Sequence, residues 1–216
     1  MVGGTSYSFV YPTGLALSGT TLYVTDPASA KHSMNPPYVF KIDTTSTSGS
    51  TFTASANNKV IGSFGSGVGQ FIYPRGIAVD STKNYVYVAD ESNYRIVRLD
   101  TNLTVTSWVA LGTRGSGSGQ FISPQTIAVD ASSGHIYVVD SGNYWIVRMD
   151  DITGANWTQY GAQSGDPLSS VYPVWVAWDS ANSVICVSDD TYVNVDTQTI
   201  NGIQYTYPRY QIAEFQ

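Results

Sequence analysis

Residues 69–80 read GQFIYPRGIAVD, and residues 119–130 read GQFISPQTIAVD. The second stretch follows the first by 50 residues, and the match continues beyond it. YVYVAD at 85–90 aligns with HIYVVD at 135–140, and NYRIVRLD at 93–100 with NYWIVRMD at 143–150. Looser copies flank this pair. Upstream stand FVYPTGLAL at 9–17, TLYVTD at 21–26 and YVFKID at 38–43; downstream stand VYPVWVAWD at 171–179 and VICVSD at 184–189. Pro12, Pro74, Pro124 and Pro173 mark the four copies. Self-similarity at a fixed period of this size is the signature of a repeat architecture, in which each unit buries its apolar face against the next.

Each copy holds several short strands. The unbroken apolar run Gly76–Val79 suits a strand covered on both faces. Tyr85–Val88 is the second strand and Arg95–Leu99 the third, and the spacing predicts a fourth at Thr104–Val109 and at Lys59–Ser63. The gaps are rich in Gly, Asn, Asp and Ser, as hairpin turns require. Four antiparallel strands in roughly 45–50 residues make one propeller blade. The units run 1–64, 65–114, 115–163 and 164–202, within a single all-β domain of about four blades.

The pattern G-x-G-Q-F-x-x-P-x-G-I-A-V-D, followed by Y-V-A-D-x-x-N-x-R-I, resembles the NHL repeat. Gly67–Ile77 with Tyr87–Ile96 carries it closely, and the third copy departs at Gln125, Thr126 and Trp145. The resemblance spans about residues 9–190 and implies a β-propeller. NHL propellers usually close with more blades than the four units found here. Residues 203–216, IQYTYPRYQIAEFQ after Gly202, read as the start of a fifth unit: Gln204, Tyr205, Tyr207, Pro208 and Arg209 mirror Gln70, Phe71, Tyr73, Pro74 and Arg75. Three arrangements follow: a ring closed within one chain, an open arc with an orphan strand, or part of a longer propeller. In the second, Tyr205, Tyr207, Pro208, Arg209, Ile212 and Phe215 form a strand available to a neighbouring copy, a head-to-tail contact that yields rings or filaments.

Composition narrows the function. Charged residues make up 12% of the 216, about half the usual share, and 42% are hydrophobic, which excludes a disordered chain. The lone Cys186 excludes a disulfide-built scaffold. Ten Lys and Arg against 16 Asp and Glu argue against nucleic acid as a partner. No apolar run has the length of a membrane span, and no leader segment is legible.

Candidate sites are few. Asp26, Asp90, Asp140 and Asp189 recur at the end of the second strand; they are read as acceptors in their own turns, with a carboxylate ring for a cation as the other reading. Asn93 with Arg95 is a turn pair, Arg95 being placed to meet a turn Asp or an aromatic ring. Glycine runs at 65–69 and 115–119 lack the Lys-Ser/Thr and the helix of a phosphate loop. Only His32 and His135 are present, too few for the histidine-rich zinc site of NHL-like lyases, so no catalytic residue, cofactor or metal is expected. Tyr11, Tyr73, Tyr172 and Tyr207 precede the repeated prolines; they either wedge between blades or line one face for a protein or glycan. Asn102-Leu103-Thr104 and Asn156-Trp157-Thr158 are N-glycosylation sequons at equivalent places of successive units. The expectation is a non-enzymatic, extracellular or cell-surface structural protein that binds copies of itself head-to-tail; the alternatives are a monomeric module for protein or glycan and, behind it, an NHL-fold lyase or hydrolase.

Overall fold

A computed structural model of the chain describes residues 6–27, 36–45, 52–53, 58–161, 172–189, 197–200, 203–206 and 212–215. Three four-stranded antiparallel sheets follow one another. The first blade is Gly14–Ser18, Thr21–Asp26, Tyr38–Asp43 and Lys59–Ile61, and the second Pro74–Asp80, Tyr85–Asp90, Arg95–Asp100 and Val109–Leu111. The third is Pro124–Val129, Ile136–Asp140, Trp145–Met149 and Thr158–Tyr160. The fourth blade pairs Pro173–Asp179 with Val184–Asp189, and that strand with Ile212–Phe215 in the register Ile185 to Phe215. The last stretch of the tail thus has a partner within its own chain. Thr197–Ile200 and Ile203–Thr206 form a separate hairpin.

The fourth strand of the second blade begins later than its spacing suggests. Val105–Ser107 turns as a single 3-10 turn, and the strand starts at Val109. The Asp100 carboxylate accepts from the Asn102 and Thr104 amides, which draws this stretch into a turn before pairing resumes.

The innermost strands Gly14–Ser18, Pro74–Asp80, Pro124–Val129 and Pro173–Asp179 pack side by side in that order, each against the next. Among the described residues no such packing joins the last to the first, so the four blades form an open arc. Alternation explains the core. On one side of each axial strand Ile77, Ile127 and Val176 reach back to the preceding blade; on the other, Ala16, Ala78 and Ala128 reach forward. Three apolar layers result. Ile77, Val86 and Val88 meet Tyr23 and Val39; Ile127, Ile136 and Val138 meet Tyr87 and Ile96; Val176, Ile185 and Val187 meet Val139 and Ile146. Trp178 also stacks on Tyr137, ring centroids 5.8 Å apart. Burial between blades is the main favourable term.

Candidate interaction face

The first three blades each turn at the upper end on a buried aspartate, Asp26, Asp90 and Asp140; for Asp189 of the fourth only the backbone is described. Asp90 accepts from the Ile72 and Tyr73 amides at 3.0 and 3.3 Å, from Asn93 Nδ2 at 2.7 Å and from Arg95 Nε at 3.0 Å. Asp140 repeats this with the Ile122 and Ser123 amides and Asn143, and Asp26 with the Val10 and Tyr11 amides. These carboxylates therefore clamp the segment before the repeated proline to the second strand. Their amide partners lie 15–18 residues upstream, not in their own turns as the sequence suggests. Own-turn bonding is instead the habit of the lower end, where Asp80, Asp130 and Asp151 accept from Thr82, Ser132 and Thr153.

Arg95 meets both partners anticipated for it. It pairs with Asp90 and lies 5.3 Å from the Trp108 ring centroid, while its other nitrogens donate to the Ser66 and Gln70 carbonyls. The glycine run 65–69 is wrapped around Gln70, whose Oε1 accepts from the Gly67 amide. A Cβ on Gly65 or Gly67 would strike that side-chain oxygen. Those glycines thus serve loop packing. His135 lies against Arg148 and Asp150 at the lower end, not in the core. Among the described residues no group of three His, Cys, Asp or Glu side chains is placed to hold a metal.

The Asp clamp fixes what the upper face displays. Tyr11 is 61% exposed and Tyr172 52%, so neither is a wedge between blades. Tyr73 is half-buried. Tyr172 stands edge-on to Tyr144, ring centroids 4.9 Å apart, and Tyr144 is 55% exposed. Tyr144 has a left-handed backbone, φ 63°, which swings its ring outward at the end of the Asn143 turn. Tyr94, at the same place one blade earlier, also has positive φ, and Arg114 lies over its ring. These two tyrosines are missing from the sequence reading, although the repeated Asn-Tyr of 93–94 and 143–144 is the signal that could find them. At the same end of the blades, next along the chain from Asp90, Glu91 anchors a charge-paired patch. Glu91 pairs with Arg75 at 3.2 Å and accepts from Ser123 Oγ at 2.5 Å and Gln125 Nε2 at 3.5 Å, latching the second blade to the third. Tyr207, Pro208, Arg209 and His32 lie outside the described residues; for Tyr205, Ile212 and Phe215 only the backbone is described.

The lower end presents the sequons. Asn102 is exposed, its Oδ1 accepting from Lys41 Nζ, and Asn156 is exposed, its Nδ2 donating to Asp150. Cys186 sits half-buried on the second strand of the fourth blade, cross-strand from Ala177.

The NHL repeat family model matches residues 71–99 and 121–149. A comparison with curated proteins finds no match. Solved structures of the same fold include a chain of a nidogen/laminin complex, 19% identical with a TM-score of 0.59, covering 83% of this chain and 57% of that one. A streptogramin B lyase is 12% identical, TM-score 0.58, covering 95% and 57%. A structural genomics protein of unknown function from Bacteroides thetaiotaomicron is 17% identical, TM-score 0.54, covering 99% and 46%. At these identities the likeness establishes a β-propeller fold. The chain spans about half the length of the structures it matches.

Proposed function

We propose that this chain, in which two NHL repeats form successive blades of an open β-propeller, is a protein-binding module whose docking surface is the tyrosine face. The observation that carries this is the exposed Tyr144–Tyr172 pair, at the end of the blades that also carries the paired Arg75 and Glu91. Exposed aromatic rings held by rigid turns give large contact area at small entropic cost, and interfaces are enriched in them. A similar chain is part of a nidogen/laminin complex, an assembly of proteins. The double variant Tyr144→Ala/Tyr172→Ala is expected to fold with unchanged circular dichroism and to bind its protein partner at least about tenfold more weakly. Affinity capture from native extracts on both chains reads this. A protein retained equally by the two sinks the assignment.

The finer reading is a non-catalytic structural protein outside the cell. Its support is the low charge and the two exposed sequons, Asn102 and Asn156, whose occupancy the mass of the native chain reads directly. Head-to-tail filament or scaffold assembly is favoured by one feature. The fourth blade has three strands among the described residues, so Ile212–Phe215 offers an unpaired backbone edge. Deleting 203–216 is expected to abolish filaments in electron micrographs, and a truncated chain that still forms them removes the tail from the assembly.

A further inference from the structure

Tyrosine supplies 16 of the 216 residues, and some of these rings stand against one another. Tyr7 and Tyr38 lie 5.7 Å apart and are both half-buried. Tyr85 and Tyr87 lie 6.4 Å apart, with Tyr87 3% exposed. Tyr144 and Tyr172 differ from both pairs. Their ring centroids are 4.9 Å apart, the ring planes meet at 78°, and both residues are more than half exposed. An edge-on pair at that separation has its ring carbons in van der Waals contact.

The backbones that carry the two rings are held. Asn143 Nδ2 donates to Asp140 and to the Gly115 carbonyl, and the Tyr144 amide donates to Ser141 O at 3.3 Å. Tyr172 immediately precedes Pro173, which is buried and pairs opposite Asp189 at the start of the axial strand of the fourth blade. The pair therefore bridges a turn of the third blade and the entry to the fourth. Each ring keeps its side-chain torsions for local adjustment. Holding two reacting groups side by side in this way replaces an encounter between molecules by an intramolecular step.

We propose that Tyr144 and Tyr172 are a site of oxidative modification, where a peroxidase and hydrogen peroxide couple the two phenols into one dityrosine. Each phenol yields its O–H proton and one electron to the peroxidase, which hydrogen peroxide has oxidised. The two phenoxyl radicals join through ring carbons ortho to oxygen, forming one C–C bond. The hydrogen on each joined carbon then moves to the oxygen and restores the phenol. In sum, two ring C–H bonds and the peroxide O–O bond break, one C–C bond forms, and the peroxide leaves as two molecules of water. The product staples the third blade to the fourth and closes a loop that constrains the unfolded chain, as a disulfide does. The coupling needs no binding partner, so its failure leaves the protein-binding reading of the same face untouched.

The test treats the 216-residue chain, dilute and without a partner, with a haem peroxidase and hydrogen peroxide. Dityrosine fluorescence is expected to appear, in a chain of monomer mass less two hydrogens. A digest is expected to yield a cross-linked peptide that contains Tyr144 and Tyr172. Tyr144→Phe and Tyr172→Phe keep a ring at each place but have no phenolic O–H to give up, and each is expected to lose that peptide. Both side chains are exposed, so these variants retain the fold, which circular dichroism checks. The cross-linked chain is expected to unfold at a higher urea midpoint than Tyr172→Phe treated in the same way. A wild-type chain that forms no dityrosine overturns the proposal. So does a cross-link that maps to other tyrosines or joins separate chains, which would mark these rings as exposed but not paired. An unshifted midpoint overturns the staple.

Discussion

Gly76→Val is expected to destabilise the chain by about 3 kcal/mol or more, the upper range of overpacking costs. The first atom added, Cβ, already falls 2.5 Å from Gln125 O and 2.7 Å from Thr126 Cα, with Ile127 N at 3.2 Å. All three are backbone atoms of the neighbouring axial strand, so no side-chain rotation relieves the contact. Relief requires the second and third blades to move apart. That would loosen the layer of Ile127, Ile136 and Val138 against Tyr87 and Ile96, and lengthen the Glu91 latch to Ser123 and Gln125. Gly19→Ala is the control. It sits at φ 57° with nothing within 4 Å of an added Cβ, so its cost is the left-handed strain alone, about 1–2 kcal/mol. Urea midpoints separate the two. Equal costs would show that backbone conformation, not the spacing between blades, sets the glycine at 76.

That spacing marks how far the sequence can be read. The blades themselves are legible, because a strand alternates its faces and because each turn needs Asn, Asp or Gly at fixed places. Pro74–Asp80, Pro124–Val129 and Pro173–Asp179 begin at the repeated prolines, and Gly14–Ser18 begins two residues after Pro12. The layers between blades are only half legible. Ile77 and Ile127 identify themselves as apolar, yet nothing local says that the residue before each must be small. That requirement comes from a strand about 50 residues away. Thr126 therefore reads as one more strand residue until the axial strand of the fourth blade is in place beside it. The tyrosines fail for a related reason. Tyr11 and Tyr172 sit at equivalent repeat positions with Tyr73, but the end of the arc leaves the first two open while Tyr73 is half-buried. The 15–18-residue reach of Asp26, Asp90 and Asp140 is likewise invisible to turn rules, which look only a few residues along the chain.

Asp90→Ala is expected to cost about 3–5 kcal/mol, the range for breaking a buried ion pair by removing one partner. The carboxylate is 0% exposed. Without it the Ile72 and Tyr73 amides lose their acceptor, Asn93 keeps only the Gly65 carbonyl, and Arg95 keeps the Ser66 and Gln70 carbonyls beside an empty site. The segment that carries Tyr73 is then unclamped from the second strand. Asp90→Asn is milder, about 1–3 kcal/mol. It keeps one acceptor oxygen for the two amides but sets an NH2 toward Asn93 and Arg95. Its pH dependence is the sharper test. Burial pushes the Asp90 carboxyl above its ordinary range, against the pull of Asn93, the Ile72 amide and Arg95. A carboxyl raised in the folded state binds its proton more tightly folded than unfolded. Its contribution therefore diminishes as pH rises from the ordinary Asp value through the raised one. Asp151 has the opposite sign: the Thr153 hydroxyl and amide hold it below its ordinary range, so its contribution is lost as pH falls. Asparagine at 90 cannot ionise and carries no such charge penalty. The stability gap between wild type and Asp90→Asn is thus expected to be widest in acid and to narrow toward neutrality. Urea midpoints between about pH 4 and about pH 7 read it. A gap that widens as pH rises would mean that Arg95 and the amide donors outweigh burial, and that the clamp is held by charge.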